Sequence, residues 1–387
     1  MSALRPRWAR FAPLFAACAL AGLYAPTALA AQPPAPAPVV AIAGGPPPAG
    51  VFRLHAIDVG TGLSIFVEGH DFSLLYDAGS NDDDGLGPKD RVLAYLSAVR
   101  RDLTVLDHLI LSHPHQDHVE MMDDVLLKYD VRNVWDSGSL NDTCGYRAFL
   151  DAVSAEPHVL YHDALGGGGT HDATFKKGGN IACHGVRRPP ATVRISRSSQ
   201  ISPTPIALGA GATMTILRAD GTRKGPSDFN AASVVVRLNL GPVSILLPGD
   251  SEGGERINWV KPPKAGSVEA QLLAHPQDLH ADLLIVGHHG SRTSSHKEFL
   301  DAVGARRFIV SVGPKAYSGT VLPDQIVMNE LGSRGSVWRT NLHDDTCGAN
   351  TAKVGRDADG QPGGCDNVLV TIDSTGIVSA DYFHPAD

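Results

Sequence analysis

Residues 113–118 read His-Pro-His-Gln-Asp-His and directly follow the apolar run Val105–Leu111. Pro114 keeps the stretch out of a helix, so His113 and His115 can turn toward one point beyond a strand end. Asp117 and His118 fall at the start of the next helix. Three imidazoles and a carboxylate within six residues concentrate the borderline ligands that bind metals such as zinc. Asp117 alone also reads as a helix N-cap, with Glu120 three residues on completing a capping box, but that leaves the histidines unexplained. Two later segments end strands in similar residues. Ser244–Leu247 runs into Pro248-Gly249-Asp250, and Leu283–Val286 runs into Gly287-His288-His289-Gly290-Ser291. By themselves these are a turn carboxylate and a solvated pair; their weight comes from agreement with the first motif.

The elements that must position these residues are short strands alternating with helices. Strands are expected at Phe52–Val59, Leu63–Glu68, Phe72–Tyr76, Val105–Leu111, Asn133–Asp136, Thr213–Leu217, Ser233–Leu240, Val243–Leu247, Leu283–Val286 and Arg307–Val312. Helices are expected at Lys89–Arg101, Asp117–Tyr129, Glu298–Val303 and Asp324–Leu331, and a hairpin at Asn367–Phe383. Two halves, each with strands first and helices after, predict an α/β domain of two sheets sandwiched between helices. Residues 162–188 are glycine-rich and aperiodic and read as a long flexible insertion, either surface decoration or a lid.

The chain has 387 residues, 43% of them hydrophobic, enough for a full-sized core. Residues 1–30 read as a secretory signal: Arg5, Arg7 and Arg10, the apolar run Phe11–Tyr24, then Ala28-Leu29-Ala30. Residues 31–50 are a Pro/Ala-rich linker, and 51–387 the folded domain. No other stretch is long and apolar enough to span a membrane. Cleavage would take the formal charge from −8 to −11, which argues against a broad nucleic-acid-gripping surface. It would also remove Cys18. Cys144, Cys183, Cys347 and Cys365 would then suit two disulfides in an exported, periplasmic or secreted protein, with three pairings open.

His113-x-His115-x-Asp117-His118, followed by the distant Asp250 and His289, resembles the metallo-β-lactamase superfamily. More narrowly, the chain is similar to the metallo-hydrolase domain of ComEC-type competence proteins. The matching segments include Ile57–Ser64, Leu75–Gly79, Ser112–His118, Val134–Gly138, Asn230–Leu238, Leu247–Asp250, His288–Ser291 and Ser311–Gly313, in the expected order. The resemblance implies an αββα sandwich with two mixed sheets. It further implies that His113 and His115 hold one metal and that Asp117, His118 and one of the adjacent pair His288 and His289, taken as His289, hold a second, with Asp250 bridging. His288 would face the substrate, donating a hydrogen bond to an oxyanion or a proton to the leaving group. Asp58 and Asp77 would orient ligand imidazoles from behind. Two zinc ions are expected, with manganese also accepted at a carboxylate-bridged site. Such a pair would acidify a water and polarise an ester, with Asp117 and Asp250 holding the nucleophile.

Phosphodiester cleavage, with DNA as one substrate, is the activity implied; a phosphocholine-esterase-like activity on a small or cell-surface substrate is the alternative. A third reading, from a different class, is a non-catalytic scaffold that has lost a ligand. It draws on two departures from the family pattern. Where members often carry another histidine after a strand, Thr213–Leu217 ends in Arg218, leaving His162, His171 or His184 as substitutes. Where a rim Tyr-Gly-His-Pro is common, this chain has Tyr317-Ser318-Gly319-Thr320.

Overall fold

The computed structural model describes residues 44–383 apart from 84–86, 167, 177–181, 184–185, 188, 226–227, 318 and 343–365. The signal, most of the linker, Cys347 and Cys365 lie outside the described residues. In chain order the first half comprises β1 (Phe52–Ala56), β2 (Gly62–Glu68), β3 (Ser73–Ser80), α1 (Arg91–Val99), β4 (Val105–Ile110), α2 (Gln116–Val119), α3 (Met122–Lys128), β5 (Asp130–Trp135), α4 (Cys144–Ala155), β6 (Leu160–Asp163), β7 (Thr170–Phe175), β8 (Ala182–Cys183), β9 (Val186–Arg187) and β10 (Ala191–Gln200). The second half comprises β11 (Ile206–Gly209), β12 (Ala212–Arg218), β13 (Val235–Leu240), β14 (Val243–Leu247), α5 (Val268–Leu272), β15 (Leu283–Ile285), α6 (Lys297–Val303), β16 (Arg307–Val310), β17 (Ala316–Tyr317), β18 (Thr320–Val321), α7 (Gln325–Arg334), β19 (Ser336–Arg339), β20 (Val368–Asp373) and β21 (Gly376–Tyr382).

Two large mixed sheets result, ordered β21-β20-β1-β2-β3-β4-β5-β6-β10-β7 and β11-β12-β13-β14-β15-β16-β19. Each opens with antiparallel hairpins and turns parallel at its centre, at β3–β4 and at β14–β15. Both faces of the central strands are apolar, so alternate residues enter different cores. Ile65, Leu74, Tyr76, Val243, Ile245 and Ile285 pack between the sheets. Phe66 and Leu75 face α1, α3 and α4, whereas Leu246 and Leu284 face α5, α6 and α7. The layers are therefore helix, sheet, sheet, helix. Tyr76 ties the sheets together, its hydroxyl donating to the Val234 carbonyl at 2.8 Å.

Three expectations change. The helix expected at Asp117–Tyr129 is two helices, because Met121 N–H bonds the Ala78 carbonyl of β3 and pins the chain between them. Asp117 is not an N-cap: His115 holds that place, without a side-chain cap bond, and Asp117 lies inside α2. The segment 162–188 is not wholly an insertion loop, since β7 pairs along its length with β10 and extends the first sheet. No helix among the described residues is long and apolar enough to cross a membrane.

Candidate metal centre

The ligand-type residues follow the ends of β4, β14 and β15, and β3 supplies Asp77 behind them from within its length. After β4, the Ser112 N–H and hydroxyl donate to Asp77 at 2.6 and 2.7 Å, fixing the strand end before His113. Asp77 holds φ 61°, a strained left-handed position for a residue with a Cβ. Two residues on, Gly79 lets α2 lie directly on β3, since a Cβ there would come 2.2 Å from the His118 nitrogen. After β15, His288 and His289 are both left-handed, at φ 50° and 52°. Bonds from His288 N–H to the Gly249 carbonyl and from Ser291 N–H to the His288 carbonyl hold this turn. Such strain costs on the order of 1–3 kcal/mol per residue. In return, two adjacent imidazoles point different ways, with their rings 65° apart.

His113 Nε2 lies 2.9 Å from His115 Nδ1 and 3.8 Å from Asp250 Oδ2. His118 Nε2 is 3.4 Å from Asp250 Oδ1; His289 Nε2 is 3.6 Å from Asp117 Oδ2 and 3.7 Å from Asp250 Oδ2. Two buried groups of donor atoms follow, His113–His118–Asp250 and Asp117–His118–His289, each spanning no more than 4.8 Å. Nε2 of His118 and Nε2 of His289 are buried without any hydrogen-bond partner. An orphaned buried imidazole nitrogen is costly, and a cation held between these donors removes that cost. The donor set therefore fits a metal.

The charges are strongly coupled. Burial, then the neighbouring His118, holds His113 well below the ordinary imidazole range. Burial opposes charge on His118 as well, but Asp250 and Asp77 outweigh it and hold its pKa high. Asp250 is held well below the carboxylate range because His118, His289 and His288 overcome its burial.

Behind the ligands, Asp77 Oδ2 is 2.8 Å from His118 Nδ1, and the Ser311 carbonyl accepts from His289 Nδ1 at 2.8 Å. Both imidazoles thus turn Nε2 toward the centre. Asp58 sits elsewhere: it accepts from the Gly60 and Asp366 N–H groups, lies 3.7 Å from Arg91, and meets no ligand imidazole among its described contacts. Tyr317 enters unexpectedly, donating to Asp117 Oδ2 at 2.5 Å while receiving a bond from Asn81. No spacing rule flags it, because β17 reaches Asp117 only through the fold.

The substitute ligands do not assemble. Arg218 turns its guanidinium to the Ala231 carbonyl and Gln271. His162 stacks on Trp135 at 4.0 Å, with its two nitrogens bonded to Ser199 and Asn133. His171 pairs with Asp163, and His184 lies outside the described residues.

A family model described as "Metallo-beta-lactamase superfamily" matches residues 57–313. Recombination protein 2 of Haemophilus influenzae is 25% identical over 262 residues, which is 68% of this chain and 24% of that protein. Competence protein ComA of Neisseria gonorrhoeae is 31% identical over 118 residues, 30% of this chain and 15% of that protein. The chain thus spans a quarter or less of these curated relatives. The metallo-β-lactamase fold protein YhfI of Bacillus subtilis superposes with a TM-score of 0.38 at 14% identity, covering 74% of this chain and 95% of that one. The family match runs from the strand before Asp58 to the glycine after Ser311, enclosing every ligand-type residue above, and the chain belongs to the metallo-β-lactamase superfamily of metal-dependent hydrolases.

Proposed function

We propose that this hydrolase cleaves phosphodiester bonds, with His113 and His115 holding one metal, Asp117, His118 and His289 a second, and Asp250 between them. The observation carrying this reading is the two donor groups, His113–His118–Asp250 and Asp117–His118–His289, with the Nε2 atoms of His118 and His289 buried and unpartnered; His115 belongs to neither group and enters the first site through its 2.9 Å approach to His113. A metal pair would supply Lewis acidity toward the phosphoryl group and acidify water. Around it, Asp77 and Ser311 hold the ligand tautomers, Tyr317 orients Asp117, and Asp117 and Asp250 orient the nucleophile. His288 faces the substrate at the cleft.

Zinc is the metal of choice for this histidine-rich set, with manganese as the alternative. The names of the two curated relatives, a recombination and a competence protein, favour a nucleic-acid substrate. The formal charge of −8, falling to −11 after signal cleavage, favours single strands or small phosphodiesters over tight, nonspecific duplex binding. The test is turnover of bis(p-nitrophenyl) phosphate, single-stranded DNA and double-stranded DNA, with zinc and with manganese. Asp117→Ala and His118→Ala should each abolish turnover; unchanged rates would sink the assignment.

We also propose cleavage of a signal after Ala30, a linker to residue 50 and export. A Cys144–Cys183 disulfide is part of this reading, supported by the packing of α4, which Cys144 opens, beside β8, which carries Cys183. Intact mass after alkylation, with and without reductant, checks the pairing.

A further inference from the structure

His288 differs from the ligand imidazoles beside it. Its side chain is 22% exposed, whereas His113, His118 and His289 lie between 0% and 3%. Its Nδ1 is held twice, 2.9 Å from Thr293 Oγ1 and 3.2 Å from Glu252 Oε1. Thr293 is itself fixed by Ser291 Oγ at 3.0 Å. On the other side of the ring, Nε2 lies 3.4 Å from Asn230 Nδ2 and 3.8 Å from Asp250 Oδ2. The Asn230 amide is only partly used, for its Oδ1 is buried without a partner.

Glu252 follows Asp250 by two residues, and its backbone carbonyl accepts from the Glu269 N–H, so its position is set by the turn that presents Asp250. A carboxylate at Nδ1 fixes the ring orientation and makes Nε2 more basic.

We propose that Glu252 is a positioning residue which, with Thr293, clamps His288 as its Nδ1–H tautomer, so that His288 Nε2 accepts one N–H of Asn230 Nδ2 and aims the other at a non-bridging oxygen of an anionic, tetrahedral substrate centre such as a phosphoryl group. The substrate class rests on the phosphodiester reading above; the clamp itself does not. Glu252 acts through His288, and Asn230 contacts the substrate directly.

The experiment is calorimetric titration of inorganic phosphate into the zinc-loaded full chain and its Glu252→Ala, Glu252→Gln, His288→Ala, Asn230→Ala and Glu252→Ala/His288→Ala variants. Zinc content and kcat against KM on bis(p-nitrophenyl) phosphate are measured in parallel. Phosphate affinity should fall about tenfold in His288→Ala and Asn230→Ala, the scale of one hydrogen bond to a charged group. Glu252→Ala should lose about fivefold, Glu252→Gln should recover most of that loss through its acceptor oxygen, and the double variant should be no weaker than His288→Ala alone. Zinc content should be equal throughout, and the KM of Glu252→Ala on bis(p-nitrophenyl) phosphate should rise about fivefold, in step with its phosphate affinity. Additive losses in the double variant, unaltered phosphate affinity in Glu252→Ala or Asn230→Ala, or no phosphate binding by the wild type overturns the proposal. Intact phosphate binding and coupling without phosphodiester turnover would instead overturn the phosphodiester reading and leave the clamp standing.

Discussion

Asp77 reaches His118 Nδ1 at 2.8 Å from a backbone held at φ 61°, so a strained residue inside β3 is what aims the buried Nε2 of His118 at the candidate metal centre. Asp77 also takes both Ser112 bonds, and one carboxylate therefore fixes the imidazole and the start of the ligand loop together. Removing it should weaken metal binding without emptying the first coordination shell. Asp77→Asn is expected to lower zinc affinity by about 10–100-fold, the usual range for such supporting carboxylates. Chelator competition checks this.

Gly79 should tolerate no side chain. A Cβ there meets the α2 backbone at 2.2 Å, where nothing flexible can move aside. Gly79→Ala should cost several kcal/mol by overpacking, or displace α2 and the Asp117–His118 pair with it. Urea denaturation separates the two outcomes: a lowered midpoint reports the first, and a wild-type midpoint with lost zinc the second.

Tyr317 takes no part in the HxHxDH motif yet touches a ligand carboxylate. Tyr317→Phe removes the donor to Asp117 Oδ2 and should weaken zinc by up to about tenfold. The fold should be unaffected, since the phenol lies in the short β17–β18 hairpin at the site rim. Zinc stoichiometry and affinity by calorimetry, alongside circular dichroism, read this out.

Acid should act on the inter-sheet face of the first sheet, around Trp135. Burial lowers both His108 and His162 from 6.5 to about 4, and the two flank Trp135. A group depressed in the folded state contributes stability fully above its unfolded pKa, and loses it as pH falls through the folded value. The window is therefore about pH 6.5 down to 4, with up to about 3 kcal/mol at stake for each imidazole. Asp58, raised to about 7 chiefly by burial, works in the opposite sense: its contribution is full below 3.8 and fades as pH rises through about 7. The expected result is a shallower acid loss in His162→Gln than in the wild type, measured as urea midpoints from pH 7 to 4.

Much of this molecule was legible as sequence because its signals are local. Short apolar runs at Val243–Leu247 and Leu283–Ile285 marked buried strands, and His113–His118 declared its chemistry through six adjacent residues. Asp250 and His289 were named on resemblance, since no local rule distinguishes Asp250 from a turn carboxylate. Only tertiary structure decided what depends on contacts between distant segments. Asp77, inside β3, backs His118, whereas Asp58, just past the end of β1, holds Arg91 and the Asp366 backbone. Tyr317 meets Asp117 across 200 residues, and Glu252 meets His288 between the turns that follow β14 and β15. Spacing along the chain prescribes which face a residue occupies. Which partner it meets there is set by how two sheets pack, and that packing is a property of the whole core.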